Sequence, residues 1–222
     1  MSAIGSGKLL RPSGLVRVRA AFDIDYRYRG DHVPGDSSMP TSTIHTRRLV
    51  LRPLRIEDAR RIAELGGDWD VASMTARMPY PYTADTARQW IDETDPGEVI
   101  FGIECDGDLI GVTGFTPTED RLSAEVGYWL GKPFWGNGYA TEAARAIIEH
   151  CFKREGFSKL VCGHFADNPA SARVIEKLGF AATGSSNWWC EARRLEILAV
   201  RYELPRPRPN WRRLMGFGKS SR

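Results

Sequence analysis

The stretch that most restricts the fold is Gly131-Lys-Pro-Phe-Trp-Gly-Asn-Gly-Tyr-Ala140, which runs without a break into residues 141–153. There Ala140, Ala143, Ala144, Ile147, Ile148, Cys151 and Phe152 recur at helical spacing, and Gly156 closes the segment. Ala124–Leu130, just before the loop, alternates as a strand and carries Gly127, which would permit a bulge. A strand, a glycine-rich turn and a helix start make a site for phosphate, because the first helical N–H groups lack internal partners and the dipole there is positive. Glycines let those amides approach closely. Loops of this kind also merely turn corners, so Gly136-x-Gly138-x-Ala140 alone leaves both readings open. A dinucleotide-binding unit does not fit. It would place the glycine turn after the first strand of a parallel unit, with a third glycine and an acid about 20 residues on.

The surrounding pattern alternates strand and helix. Arg48–Leu54 reads as a strand and Ile56–Leu65 as a helix stopped by Gly66-Gly67. Thr83 caps a second helix reaching about Ile91. Val99–Cys105 and Leu109–Phe115 flank Asp106-Gly107, a strong hairpin signal. Lys159–Phe165 is a further strand. Asn168 as cap, Pro169 at the first helical position and Gly179 past the end bracket a fourth helix, and Arg194–Leu204 alternates as a last strand. No internal repeat is visible.

The 42% hydrophobic and 27% charged content is that of an ordinary globular chain, which excludes wholesale disorder, collagen and coiled coil. The net charge of +3 conceals a division: residues 41–200 carry 18 basic and 23 acidic groups, and residues 201–222 carry 7 and 1. No run approaches the roughly 18 apolar residues of a membrane span, and the first residues lack the apolar core of a signal peptide. A cytoplasmic protein is expected. Cys105, Cys151, Cys162 and Cys190 form no Cys-x-x-Cys pair and no zinc spacing with the four histidines, so no metal is expected. Cys162 and His164 share a strand face, but two candidate ligands alone point to packing.

Residues 30–43 are rich in turn formers and read as a linker. Before it, Val16 to Tyr28 alternate apolar and polar as an extra strand over residues 16–29, serving as an edge strand or an oligomer contact. The alternative is that Met39 is the biological start. Three parts are therefore expected: an extension over 1–42, a domain over 43–204 and a basic tail over 205–222.

The order of elements resembles the GCN5-related N-acetyltransferase (GNAT) superfamily across residues 43–204. Its pyrophosphate motif is Gln/Arg-x-x-Gly-x-Gly/Ala, and the segment Trp135-Gly-Asn-Gly-Tyr-Ala140 matches both small positions, with Trp135 at the first. That departure is similar to the RimJ/RimL-type branch of ribosomal-protein N-terminal acetyltransferases. Thr46-Arg-Arg-Leu-Val-Leu-Arg-Pro53, Pro79-Tyr-Pro-Tyr-Thr83, Glu125-Val-Gly-Tyr-Trp-Leu130, and Asn168-x-x-Ser171 followed by Glu176-Lys-Leu-Gly-Phe180 resemble it too. The resemblance implies an α/β fold of the α+β mixed-sheet kind: a mostly antiparallel sheet of six to seven strands with about four helices, two strands splaying around an acyl-CoA cleft.

It also implies an enzyme that moves the acetyl group of acetyl-CoA to a primary amine in a ternary complex. The amides of Val126, Gly127 and Tyr128 would hold the acetyl carbonyl and pantetheine arm; one preorganised amide of this kind can be worth about 3 kcal/mol. Those of Trp135, Gly136, Asn137, Gly138, Tyr139 and Ala140 would take the pyrophosphate, with Lys132 and Arg173 assisting, and Asn168 would bond the pantetheine. Glu125 is the candidate base, through a water, or else points to solvent from its alternating strand, and Glu142 is a residue that suits the helix dipole. Many family members use a tyrosine seven residues after the asparagine as the acid; here that position is Ile175, and the branch pattern suggests Ser171 instead, a residue that could equally be a first-turn serine satisfying the helix terminus.

A protein N-terminal α-amine is the favoured acceptor, because its pKa near 8 leaves about a tenth uncharged at neutral pH, a far larger fraction than for lysine. Small-molecule amines such as antibiotics or polyamines are the alternative, as is a non-catalytic acyl-CoA-binding protein. Trp188-Trp189 and Tyr80-Pro-Tyr82 either edge the acceptor cleft or belong to the core. The tail, with Arg201, Arg206, Arg208, Arg212, Arg213, Lys219 and Arg222 around Trp211 and Phe217, offers a ribosome or RNA contact or is a solvated end. Monomer and homodimer stay equally open, and no membrane partner is expected.

Overall fold

The computed structural model describes residues 43–95 and 97–207. The 16–29 strand, the linker with Met39, and the tail beyond residue 207 lie outside the described residues. Arg201, read with the tail, belongs to the last strand instead, and Arg206 is tied down by its N–H to Ser158 O at 2.8 Å.

Eight strands form one sheet in the order β1-β2-β3-β4-β5-β6-β8-β7. They are β1 (Ile44–His45), β2 (Val50–Pro53), β3 (Val99–Cys105), β4 (Asp108–Pro117), β5 (Ser123–Leu130), β6 (Lys159–Phe165), β7 (Ala181–Cys190) and β8 (Leu195–Pro205). The helices are α1 (Ala59–Gly66), α2 (Trp69–Ala72), α3 (Ala84–Asp92), α4 (Tyr139–His150) and α5 (Pro169–Lys177). Every neighbouring pair is antiparallel except β5 and β6. A parallel pair needs a long crossover, and the glycine loop with α4 supplies it.

The counts exceed the expected six to seven strands and four helices, for three local reasons. The two-residue β1 and four-residue α2 are too short to leave a period. β7 reads Ala-Ala-Thr-Gly-Ser-Ser-Asn-Trp-Trp-Cys, without alternation, and becomes a strand by pairing along nearly its whole length with β8. No bulge occurs at Gly127; it faces Gly114 in unbroken register, and the sheet's irregularities lie at Ile103/Glu104 and Ala182/Gly184 instead.

Local chemistry explains the remaining elements. Asp106 and Gly107 both adopt positive φ, 53° and 89°, as a two-residue hairpin turn requires. Thr83 Oγ1 accepts the Thr86 N–H at 3.2 Å and starts α3. α4 ends in a π turn over Cys151–Glu155 that Gly156 stops at φ 79°.

Neighbouring residues of β3 go to opposite faces. Phe101 and Ile103 join Val126, Leu160 and Cys162 beneath Ala143, Ala144, Ile147 and Ile148 of α4 and Ile175 of α5. Ile100 joins Val112 beneath Ile62 of α1 and Ala87 and Ile91 of α3. A third cluster places Val71 and Ala72 of α2 with Phe165, Trp188, Cys190 and Ala199, and Trp129 of β5 packs against this cluster and the second.

Candidate active site

The parallel ladder between β5 and β6 holds for three pairs, Ser123 with Lys159, Ala124 with Leu160 and Glu125 with Val161, and then stops. From Val126 onward β5 is paired only with β4, and from Cys162 onward β6 only with β8. The sheet is split there into a wedge, and each wall presents strand-edge backbone groups without a ladder partner across it. Thr113 Oγ1 donates to Gly127 O at 2.9 Å and steadies the β5 wall.

The glycine loop closes the wedge at the start of α4. Gly136 and Gly138 have φ of 78° and 76°, in the left-handed region where a Cβ is disfavoured. The loop's carbonyls are taken up locally: Asn137 Nδ2 donates to Phe134 O and Trp135 O at 3.3 and 3.1 Å, and Arg48 donates to Asn137 O at 3.0 Å. The Trp135 indole N–H donates to Leu130 O at 2.8 Å, tying the loop to the end of β5, a bond open to tryptophan at that position. The Trp135 backbone N–H is bonded to Lys132 O at 3.2 Å, whereas Tyr139, Ala140 and Thr141 open α4 with amides that have no helical partner. Lys132 itself is paired with Asp70 Oδ2 at 2.5 Å.

Glu142, one turn into α4, does more than suit the dipole. Its carboxylate accepts from Thr46 Oγ1 at 2.7 Å, Arg48 N at 2.9 Å and Arg48 Nε at 2.8 Å. Burial pushes its carboxyl up, but the hydrogen bonds from Thr46 and Arg48 outweigh that and hold it below the usual range. The Arg48 guanidinium also lies 4.5 Å from the centre of the Tyr139 ring. The sequence reading gave Arg48 no role; its one signal was its place in the 46–53 motif.

On the far wall, Asn168 Oδ1 accepts the Ser171 N–H at 3.0 Å, so Asn168 caps α5 as expected and keeps its amide NH₂ for other partners. Ser171 Oγ lies 3.0 Å from the hydroxyl of Tyr128, a contact from α5 back to β5 that sequence reasoning missed. Burial pushes the Tyr128 phenol up, with the Ser171 contact opposing. Ile175 is 1% exposed and fills the core.

Glu125 stands at the last pair before the split and is buried, at 9% exposure. It is opposite Thr116 on β4, whose hydroxyl reaches Glu98, and Glu98 is paired with Arg77 at 2.8 Å. Burial pushes the Glu98 carboxyl up, with Arg77 opposing. Trp188 is buried in the third cluster, whereas Trp189, Trp69 and Tyr80 are exposed, the last two packed edge to face at 5.0 Å.

The glycine loop and the α4 start offer amides and a helix terminus to an anion, and the wedge offers strand-edge groups to an amide-bearing arm. Among the described residues no cluster of three or more His, Cys, Asp or Glu side chains could hold a metal, and no helix is long and apolar enough to cross a membrane. His164 and Cys162 do share a strand face, but His164 is engaged with Phe165 O and the Tyr202 hydroxyl.

A family model described as acetyltransferase (GNAT) domain matches residues 48–181. The uncharacterized protein YkkB of Bacillus subtilis (strain 168) is 32% identical over 111 residues, covering 46% of this chain and 64% of that protein. The ribosomal-protein-serine acetyltransferase of Escherichia coli (strain K12) is 34% identical over 86 residues, covering 38% of this chain and 48% of that protein. The chain thus spans less than two thirds of either relative. The solved structure of RimL, a ribosomal alpha-N-protein acetyltransferase in complex with Coenzyme A, superposes with a TM-score of 0.63 at 18% identity, covering 74% of this chain and 98% of that one; the likeness is one of fold.

Proposed function

The chain belongs to the GNAT acetyltransferase family, and on that premise we propose that it transfers the acetyl group of acetyl-CoA directly to the α-amine of a protein N-terminus. The observation that carries this is the wedge between β5 and β6, with buried Glu125 at its apex and the left-handed glycine loop at its mouth. Amides of the β5 wall beyond Glu125, in Val126, Gly127 and Tyr128, hold the acetyl carbonyl and the pantetheine arm. Amides from Gly136 to Ala140 take the pyrophosphate, and Asn168 bonds the arm through its free NH₂. Glu125 removes the amine proton through a water, and Ser171 donates a hydrogen bond to the leaving sulfur. The acceptor follows from magnitudes. An α-amine is partly uncharged at neutral pH and asks little of a carboxylate base. The acidic balance of residues 41–200 favours a cationic acceptor. The name of the E. coli relative supports a ribosomal-protein acceptor.

The test is a screen of acetyl-CoA consumption, read with mass spectrometry, across ribosomal-protein N-terminal peptides, polyamines and aminoglycosides. Acetylation at peptide α-amines is expected. Turnover confined to polyamines or aminoglycosides moves the assignment to small-molecule amines, and acetyl-CoA binding without turnover on any amine overturns the enzymatic reading of this chain.

A further inference from the structure

Ser171 and Ile175 lie four residues apart, one above the other on α5. Ile175 is buried hydrocarbon, so the polar contact on this side of the helix falls to Ser171 Oγ. The Asn168 cap takes the Ser171 N–H and does not compete for the hydroxyl. What does reach the hydroxyl is Tyr128, from the other wall of the wedge, at 3.0 Å. The phenol also approaches the Ser171 carbonyl, at 3.5 Å, the limit of a hydrogen bond.

We infer that Tyr128 is a positioning residue: its phenol hydroxyl donates to Ser171 Oγ from the opposite wall, so that the Ser171 O–H is left for the leaving sulfur. This rests on the reading of Ser171 given above. A serine hydroxyl has one donor and two acceptor positions, and an incoming O–H fixes the rotor and strengthens the donor it retains. Burial disfavours the phenolate, which keeps Tyr128 a donor throughout the neutral range. The step balances without either hydroxyl losing its proton. The N–C bond forms as the C–S bond breaks with its electron pair going to sulfur. The amine proton passes through a water to Glu125 and on to solvent, and the thiolate departs hydrogen-bonded to Ser171, to be protonated by water on release.

The experiment is a double-mutant cycle on the full chain with Tyr128→Phe, Ser171→Ala and the pair, read as single-turnover rates with a peptide acceptor and, independently of any acceptor, as the slow hydrolysis of acetyl-CoA. Tyr128→Phe is expected to lower the rate about tenfold, the effect of one lost hydrogen bond, with the acetyl-CoA Kd within about twofold. The pair is expected to be no slower than Ser171→Ala alone. Ser171→Thr, which keeps a hydroxyl, restores the sensitivity to Tyr128→Phe and serves if Ser171→Ala folds poorly. Additive losses, or a slow Ser171→Ala beside an unaffected Tyr128→Phe, overturn the role of Tyr128 while the Ser171 reading stands. A fully active Ser171→Ala overturns both, and the amine screen decides separately whether the chain is an acetyltransferase of N-termini.

Discussion

Arg48 and Glu142 are 94 residues apart and share two hydrogen bonds, from the Arg48 backbone N–H and Nε, and an ion pair through the other guanidinium nitrogen. The same guanidinium holds Asn137 O and lies on Tyr139, so one side chain links the first strand pair to the glycine loop and the start of α4.

Removing this link should loosen the loop. Glu142→Gln is expected to cost about 1 kcal/mol of stability at neutral pH and to raise the acetyl-CoA Kd more than it changes kcat. Because the folded carboxyl is held below its unfolded value, its contribution is present above the ordinary carboxylate range and disappears as the pH falls through the depressed folded value. Chemical denaturation of both proteins from neutral pH into acid should therefore show their stability curves converging.

Glu125→Gln tests the base. The rate should fall about a hundredfold while acetyl-CoA affinity holds. A peptide acetylated at an unchanged rate would place the base elsewhere in the wedge.

Gly136→Ala probes the backbone of the loop. Among the described residues no heavy atom beyond its chain neighbours lies within 4 Å of the added Cβ, so the cost is conformational, from φ 78°, and amounts to about 1 kcal/mol. Calorimetry with acetyl-CoA should show weaker binding, and thermal unfolding only a small shift.

Gly163→Ala is a steric test on β6. The new Cβ would stand 2.4 Å from Trp188 Cη2 and 2.8 Å from Val200 O, and the carbonyl cannot retreat without disturbing the β6–β8 ladder. A loss of about 1–3 kcal/mol is expected in denaturant titration, with altered Trp fluorescence as the indole is displaced.

Much of the frame was legible because its signals are satisfied within a few residues. Asp106-Gly107 turns a hairpin by its own φ angles, and Asn168, Pro169 and Gly179 start and stop α5 with little help from elsewhere. β7 was not legible, since its small and polar residues pair only because β8 lies beside them at the edge of the sheet. At the candidate site, Glu125, Ser171 and the glycines are singled out by pattern and resemblance. The contacts of Arg48 and of the Tyr128 hydroxyl are not, because their partners are 94 and 43 residues away.

By itself, then, the sequence determined the turns, the caps, the glycine loop and the family to which they belong, all matters of backbone preference and local hydrogen bonding. The tertiary structure alone decided where the ladder between β5 and β6 ends, and hence which side chains face each other across the opening. That end point depends on how two packed layers settle against the sheet, and no run of neighbouring residues encodes it.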